Sequence, residues 1–555
     1  MAPWKMKHFV PLIVATALLG GASLRAADDR EATRPEQDAE IAGLIEQLGS
    51  PQYATREKAQ AKIQSLGLAV FDALLEAQQH RDIEVARRAR YLLRGMPVEW
   101  SVDADPQEVR SLLQNYGQQG RDERLSRIEH LANLEDSHGA EALCRIMRYE
   151  SDVVLSKQAA LQLMSGQASV APEDHEAVAG RIREAVSNSR RPAVRWLLAY
   201  ADTLIAPEPS LVEWERITRD ELETMVKTPD ETQRSVVRDL LRWHVDLLRG
   251  LQRNDEVRAN IIRIVDLVQP SREELFDVVD WALEREAWFV PELLAEKFPV
   301  EYWQSELLVY RLAEARRKGG DEAGAGEAAK LALGMNPNQF QTHIEVARRL
   351  RYERQMFDWA EAEFRLLIET AGEFHKVELY SRELLSQMLA DLQREREAAE
   401  TLEPSVKIGE TDPAALESVY EQLSGRAFTP ADVRAKIDHF LGIHYGRAGD
   451  IDKQKTFLQK ALEVETENID IVIALFGVVD PDDAWRAKAD ALLAEHVKRI
   501  ETRMQELELK TNEERDPAEY AQKNNEYAWL VSNTVGDYQK AVACSRKSLE
   551  LVPDS

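Results

Sequence analysis

From Glu40 to nearly the last of its 555 residues, the apolar side chains of this chain recur at helical spacing with few interruptions. Ile41, Leu44, Ile45 and Leu48 fall at i, i+3, i+4 and i+7, one stripe of an α-helix. Gly49-Ser50-Pro51 ends that stripe. Further helices are predicted from Thr55 through Ala59, Ile63 and Leu66, over Val70 to Leu75, and over Asp82 to Leu93. Ile469–Val479 is rich in β-branched residues, yet Ile469, Val472, Ile473 and Phe476 again give i, i+3, i+4, i+7, so helix is predicted there too. A chain with one apolar stripe per helix and no hairpin signal must bury each stripe against neighbouring helices.

The helices also repeat. Asp82, Val85, Ala89 and Leu93 are echoed 70 positions later by Asp152, Leu155, Ala159 and Leu163. An acidic N-cap, an aliphatic anchor and a small Ala at a helix crossing recur in register. Seventy residues fit two helix pairs of about 35 each. Residues 38–170 therefore resemble HEAT-type repeats, whose second helix often begins Asp-x-x-Val and carries Ala before Leu. Residues 171–300 read as irregular helical pairs. Within them, Ser271 is predicted to cap a helix with Glu274 completing a capping box, and Trp281, Trp288 and Trp303 read as core.

After residue 300 a 34-residue pattern emerges. Leu312-Ala313, Gly319-Gly320, Ala325, Ala332 and Pro337 form one copy, and Ala347, Phe357 to Ala360, Phe364 and Leu367 a second. Leu441-Gly-Ile-His-Tyr445, Gly449-Asp450, Leu458 and Ala461 make a third. The last is Tyr527 to Leu530, Gly536-Asp-Tyr538, Ala541, Ser545, Ser548 and Pro553. Residues 301–555 thus resemble tetratricopeptide repeats, with 374–425 and 477–516 fitting only as plain helices; a solenoid needs a polar capping helix, so after the last copy either an uncapped end is exposed, the chain continues or a partner covers it. Together the two resemblances imply an all-α fold, an α-solenoid: a superhelix of antiparallel helix pairs. In tetratricopeptide families first-helix side chains line a groove. Carried over, the candidate peptide-groove residues are Tyr310, Glu314, Arg317 and Lys318; His439, Ile443 and Arg447; and Asn525 and Trp529. Arg317, Lys318 and Arg447 would face carboxylates of an extended peptide. The Lys and Asn arrangement of a carboxylate clamp is not reproduced.

The N-terminus has the order of a Sec-type leader: Lys5 and Lys7, an apolar stretch from Phe9 to Ala22, then small residues up to Ala26-Ala27. Cleavage after Ala26 is expected, leaving 27–37 as a flexible lead-in and placing the protein in the periplasm or outside the cell. Retention of the stretch as an anchor is the rival, disfavoured by its length and by Pro11, Gly20 and Gly21. The formal charge of −27 disfavours nucleic acid as a partner.

Catalytic templates fail. The chain has no phosphate-cradling Gly-rich loop, no His-Glu-x-x-His and no Gly-x-Ser-x-Gly. Cys144 and Cys544 read as buried hydrophobes, and Asp480 to Asp483 as a turn and cap rather than a calcium loop. The expectation is a non-catalytic, cofactor-free and metal-free scaffold binding proteins or extended peptides. An exported hydrolase or accessory subunit with an unrecognised carboxylate pair, or a self-assembling envelope component associating through its C-terminal end, are the alternatives.

Overall fold

The computed structural model describes residues 34–135, 138–166, 171–186, 189–510 and 516–552. The leader, its cleavage region and the lead-in up to residue 33 lie outside these. All regular structure among the described residues is helical. The first helix, Arg34–Gln47, takes in residues 34–37, so the lead-in expected over 27–37 is shorter than predicted. A proline in the first turn of a helix loses nothing by lacking an N–H, so it need not mark a loop.

The chain divides into two compact units, residues 1–268 and 269–555. In the first unit a small core of Leu48, Ile63, Val70, Leu74, Val85 and Ala89 gathers the helices between residues 34 and 94. A larger core built on Ile146, Ala159, Trp196, Trp214 and Leu240 serves the rest. The 70-residue echo is visible in local structure. The Asp82 carboxylate accepts from the Glu84 amide at 2.8 Å, and that of Asp152 from the Val154 amide at 2.9 Å. Ala89 and Ala159 are fully buried where their helices cross neighbours. Leu93 departs from the pattern: it is half-buried, and Leu92 takes the core position.

In the second unit consecutive helices pack as antiparallel pairs, Glu306–Lys318 with Glu322–Leu333, Phe340–Tyr352 with Phe357–Thr370, and Pro430–Arg447 with Ile451–Val464. One turn design closes them. A residue in the left-handed region follows the first helix, and the next amide folds back onto that helix's last turn. Gly320 (φ 92°) and Gly449 (φ 78°) do this in two pairs. The Asp321 amide then reaches the Arg316 carbonyl at 2.8 Å and that of Asp450 reaches the Tyr445 carbonyl at 2.9 Å. Each Asp also caps the second helix, accepting from Gly324 at 2.9 Å and Lys453 at 3.2 Å.

The same turn recurs without glycine. Gln355 (φ 56°) joins Phe340–Tyr352 to Phe357–Thr370, and Gln393 (φ 62°) joins His375–Asp391 to Glu395–Thr411. In the first unit Gln252 (φ 57°) joins Arg234–Gly250 to Asn254–Leu267. So 375–411, expected as plain helices, is a closed pair of the same construction. Gly442 serves the pairing differently: a Cβ there would come within 2.6 Å of Leu458 Cδ2, so the two helices approach only because it is glycine.

Several local expectations hold. Ile469–Phe476 is a helix. Asp482 caps Asp483–Glu508 by accepting from the Trp485 amide at 2.8 Å. Ser271 accepts from the Glu274 amide at 3.2 Å, but the Glu274 carboxylate takes the Gln269 amide (2.9 Å) in place of the cap residue's own. Cys144 and Cys544 are free and buried, and burial pushes the Cys144 thiol up to about 12.

Candidate binding surface

The helix Phe340–Tyr352 divides its residues cleanly. His343, Val346, Ala347, Leu350 and Arg351 are buried. The opposite stripe, Gln341, Ile344, Glu345, Arg348, Arg349, Tyr352 and the following Glu353, lines an open depression of about 600 Å³. Three of these sit one turn apart: Ile344, Arg348 and Tyr352. Tyr352 is 54% exposed, with the Arg351 guanidinium 4.6 Å from its ring centre. Arg349 is paired to Glu345 at 3.0 Å. Arg348 is exposed and enters no ion pair among the described residues. The stripe thus offers an aliphatic side chain, an unpaired guanidinium and a phenol in line.

Beneath it the helix is anchored by a buried network. Glu363 and His343 are both fully buried; the carboxylate accepts from the Tyr310 hydroxyl at 2.6 Å and meets His343 Nδ1 at 2.6 Å. His343 Nε2 faces the carbonyls of Met335 (3.0 Å) and Asn336 (3.2 Å). Both ring nitrogens meet only acceptors, so the imidazolium is the form that satisfies the site. The bond to Glu363 raises the His343 pKa above its ordinary value against the opposing effect of burial.

The carried-over groove residues fare unevenly. Tyr310 and Glu314 are corrections: they are 1% and 5% exposed and cannot line an open groove. Tyr310 is held by Glu363, and Glu314 accepts two bonds from Arg354, at 2.8 and 2.5 Å. The cause is packing. Glu306–Lys318 is covered by Arg272–Glu284, Val290–Lys297 and Pro299–Trp303 as well as by its own pair. Arg317 is committed within the chain, bonding Asp358 at 3.0 and 2.7 Å with its guanidinium 3.8 Å from the Trp359 ring centre. Lys318 is exposed. His439 and Ile443 are half-buried, and burial lowers the His439 pKa to about 4. Arg447 is exposed but its Nε lies 3.0 Å from Glu395. Asn525 helps line a crevice of about 220 Å³. Trp529 is 52% exposed and donates to Asp470 at 2.9 Å. With Tyr310 and Glu314 buried, the nine do not all reach the surface.

What sequence reasoning missed lies one repeat further on. Ala313 and Ala347 mark the same position in two copies. On that register Tyr310, Glu314 and Lys318 correspond to Ile344, Arg348 and Tyr352, the stripe that lines the depression, with Ile344 half-buried and the other two exposed. The signal was present in the 34-residue offset but had been applied to a covered copy.

No protein-family model and no curated protein matches the chain. Solved structures of helical-repeat proteins do. A human IFIT1 dimer with PPP-AAAA is 12% identical over 78% of this chain and 100% of that one, with a TM-score of 0.18. An APC/C hetero-tetramer, Cut9-Hcn1, is 11% identical over 81% of this chain and 90% of that one, with a TM-score of 0.20. The chain is an all-α protein whose units are solenoid-type rows of packed helix pairs.

Proposed function

We propose that the protein is an exported, non-catalytic scaffold or adaptor that holds an extended protein segment on the exposed face of Phe340–Tyr352. The observation that carries this reading is the line Ile344, Arg348, Tyr352, with an unpaired guanidinium between two surfaces able to take apolar side chains. Arg and Tyr are the side chains that most often dominate protein interfaces, because each combines a large apolar body with directional hydrogen bonding.

The buried carboxylates support a non-catalytic role. Glu150 is held by Arg124 and Tyr116, Glu221 by Lys157, Glu363 by His343 and Tyr310, and Glu383 by Lys436 and Tyr420. Each of these carboxylates is engaged by side chains of the chain itself inside the core and is not presented to an open surface.

A peptide array of extended twelve-residue segments, probed with the intact protein, tests the binding role. Binders should lose at least ten-fold in affinity with Arg348→Glu and with Tyr352→Ala; unchanged affinity in both variants would remove this surface from the proposal. Export is tested separately by N-terminal sequencing of the protein from an envelope fraction. A start at Ala27 supports it, and an intact Met1 in a cytosolic fraction would refute it.

A further inference from the structure

The chain's acidity is not shared evenly. Residues 34–96 contain nine basic and nine acidic residues, so this stretch, which has its own small core, is neutral in a chain of −27. Much of its positive charge is concentrated on the helix Ile83–Arg94, which carries four arginines and one glutamate.

Those arginines split by role. Arg88 is spoken for, bonding Glu84 at 2.7 Å, Glu57 at 3.0 Å and Gln60 at 2.8 Å. Arg87, Arg90 and Arg94 are exposed and enter no ion pair among the described residues; Arg90 has only a 3.3 Å bond to the Gln78 carbonyl. Arg94 has a local reason to be where it is, since a cation in a helix's last turn meets the negative end of the helix dipole. Arg87 and Arg90 lie away from that end: Arg90 reaches only the carbonyl of Gln78, the C-cap of Phe71–Ala77, and Arg87 has only the field of Glu84 one turn back. The same outward face carries Ile83, 83% exposed, and Tyr91, 65% exposed. Residues 83, 87, 90, 91 and 94 share one side of an α-helix. The face therefore presents three guanidiniums over about 10 Å of helix, flanked by two apolar groups.

We infer that this face is a second docking surface, independent of that on Phe340–Tyr352, and that its occupant is a short acidic protein segment. Charge complementarity selects the occupant. A guanidinium pairs with a carboxylate through two parallel N–H bonds, and acidic side chains two apart on an extended segment are spaced about 6.6 Å, which fits within the roughly 10 Å of helix from Arg87 to Arg94. Ile83 and Tyr91 would cover the apolar residues between them. A long polyanion fits worse. The stripe is about two helical turns long, Asp82 and Glu84 stand at one end of it, and the remainder of the chain is strongly negative. With two such surfaces the protein would join two partners.

The test uses the full chain and a fluorescein-labelled peptide of five glutamates and two leucines, read by anisotropy. Measurable binding should weaken at least ten-fold in the double variant Arg87→Glu, Arg90→Glu and weaken again on raising salt from 50 to 300 mM. Arg348→Glu should leave it unchanged, which separates failure here from failure of the proposed function. Both arginines are exposed, so an unchanged circular-dichroism melt is expected and confirms that the variant is folded. Binding that survives the double variant overturns the proposal. So does tighter binding of a single-stranded DNA dodecamer or of phosphatidylglycerol vesicles than of the peptide. Self-association that depends on Arg87 and Arg90 would also overturn it, by making a second copy the occupant.

Discussion

Each unit contains a buried carboxylate shared by a tyrosine and a cation, and one such site from each unit differs in the cation. In the first, fully buried Glu150 accepts from the Tyr116 hydroxyl at 3.0 Å and from Arg124 at 2.5 Å. In the second, Glu363 accepts from the Tyr310 hydroxyl and pairs with His343. A guanidinium keeps its charge at every accessible pH; an imidazolium does not. The first unit places its own histidine where no charge is wanted. His244 is 2% exposed, neither ring nitrogen has a partner, and burial lowers its pKa to about 4. His244 and His343 therefore depend on opposite states of histidine and pull stability in opposite directions with pH; His439 in the second unit, also lowered to about 4 by burial, acts in the same sense as His244.

The contrast can be broken most forcefully at Glu363. Glu363→Ala strands His343 and Tyr310 in the core together and should cost about 3–5 kcal/mol, seen as early chemical unfolding of the second unit while the first unfolds unchanged. Loss from both units equally would mean that the network is not local. The next largest effect is acid destabilisation through His244. Its folded pKa lies below the ordinary 6.5, so its contribution is complete above pH 6.5 and disappears as pH falls towards 4. The full swing is about 3 kcal/mol. Denaturant melts at several pH values should show this slope in the first unit and show it flattened in His244→Phe. His343 works the other way: its pKa is raised on folding, so its contribution is complete below pH 6.5 and is lost as pH rises through the folded value. A second unit that grows more stable from pH 6 to pH 9 would contradict the imidazolium assignment.

Smaller effects test the repeats themselves. Asp82→Ala and Asp152→Ala should each cost about 1 kcal/mol, since both remove a side-chain cap; unequal losses would show that the two copies differ in how firmly their helices begin. At the small end, Gln393→Gly should stabilise by about 0.5–1 kcal/mol, because relief of left-handed strain exceeds the entropy gained by the unfolded chain. A destabilised variant would mean that the Gln393 side chain contributes more than its backbone costs.

How much could be read without coordinates follows from the same residues. Helix positions and several caps were legible because periodicity and capping are local: Asp82, Asp152, Ser271 and Asp482 all sit where the pattern put them. Pairs with Gly-Asp turns were legible for the same reason. The pair 375–411 was not, because Gln393 adopts a conformation that its side chain does not advertise. The groove failed at a longer range. Nothing in Glu306–Lys318 itself says that three preceding helices cover it, so Tyr310 and Glu314 looked available when they are core. Arg317 and Arg447 were taken by acids 41 and 52 positions away in the chain, beyond any local pattern.

The left-handed turns at Gln355, Gln393 and Gly449 settle their helix pairs with bonds internal to each pair. A pair closed in this way is a cassette. Copying or deleting one whole would lengthen or shorten the row by a single step and leave every remaining turn intact, whereas a break inside a helix would strip an apolar stripe from two neighbours at once. Genetic change in this region is therefore channelled towards whole-pair gains and losses, which alter how many exposed first-helix faces the protein presents without asking the fold to be solved again.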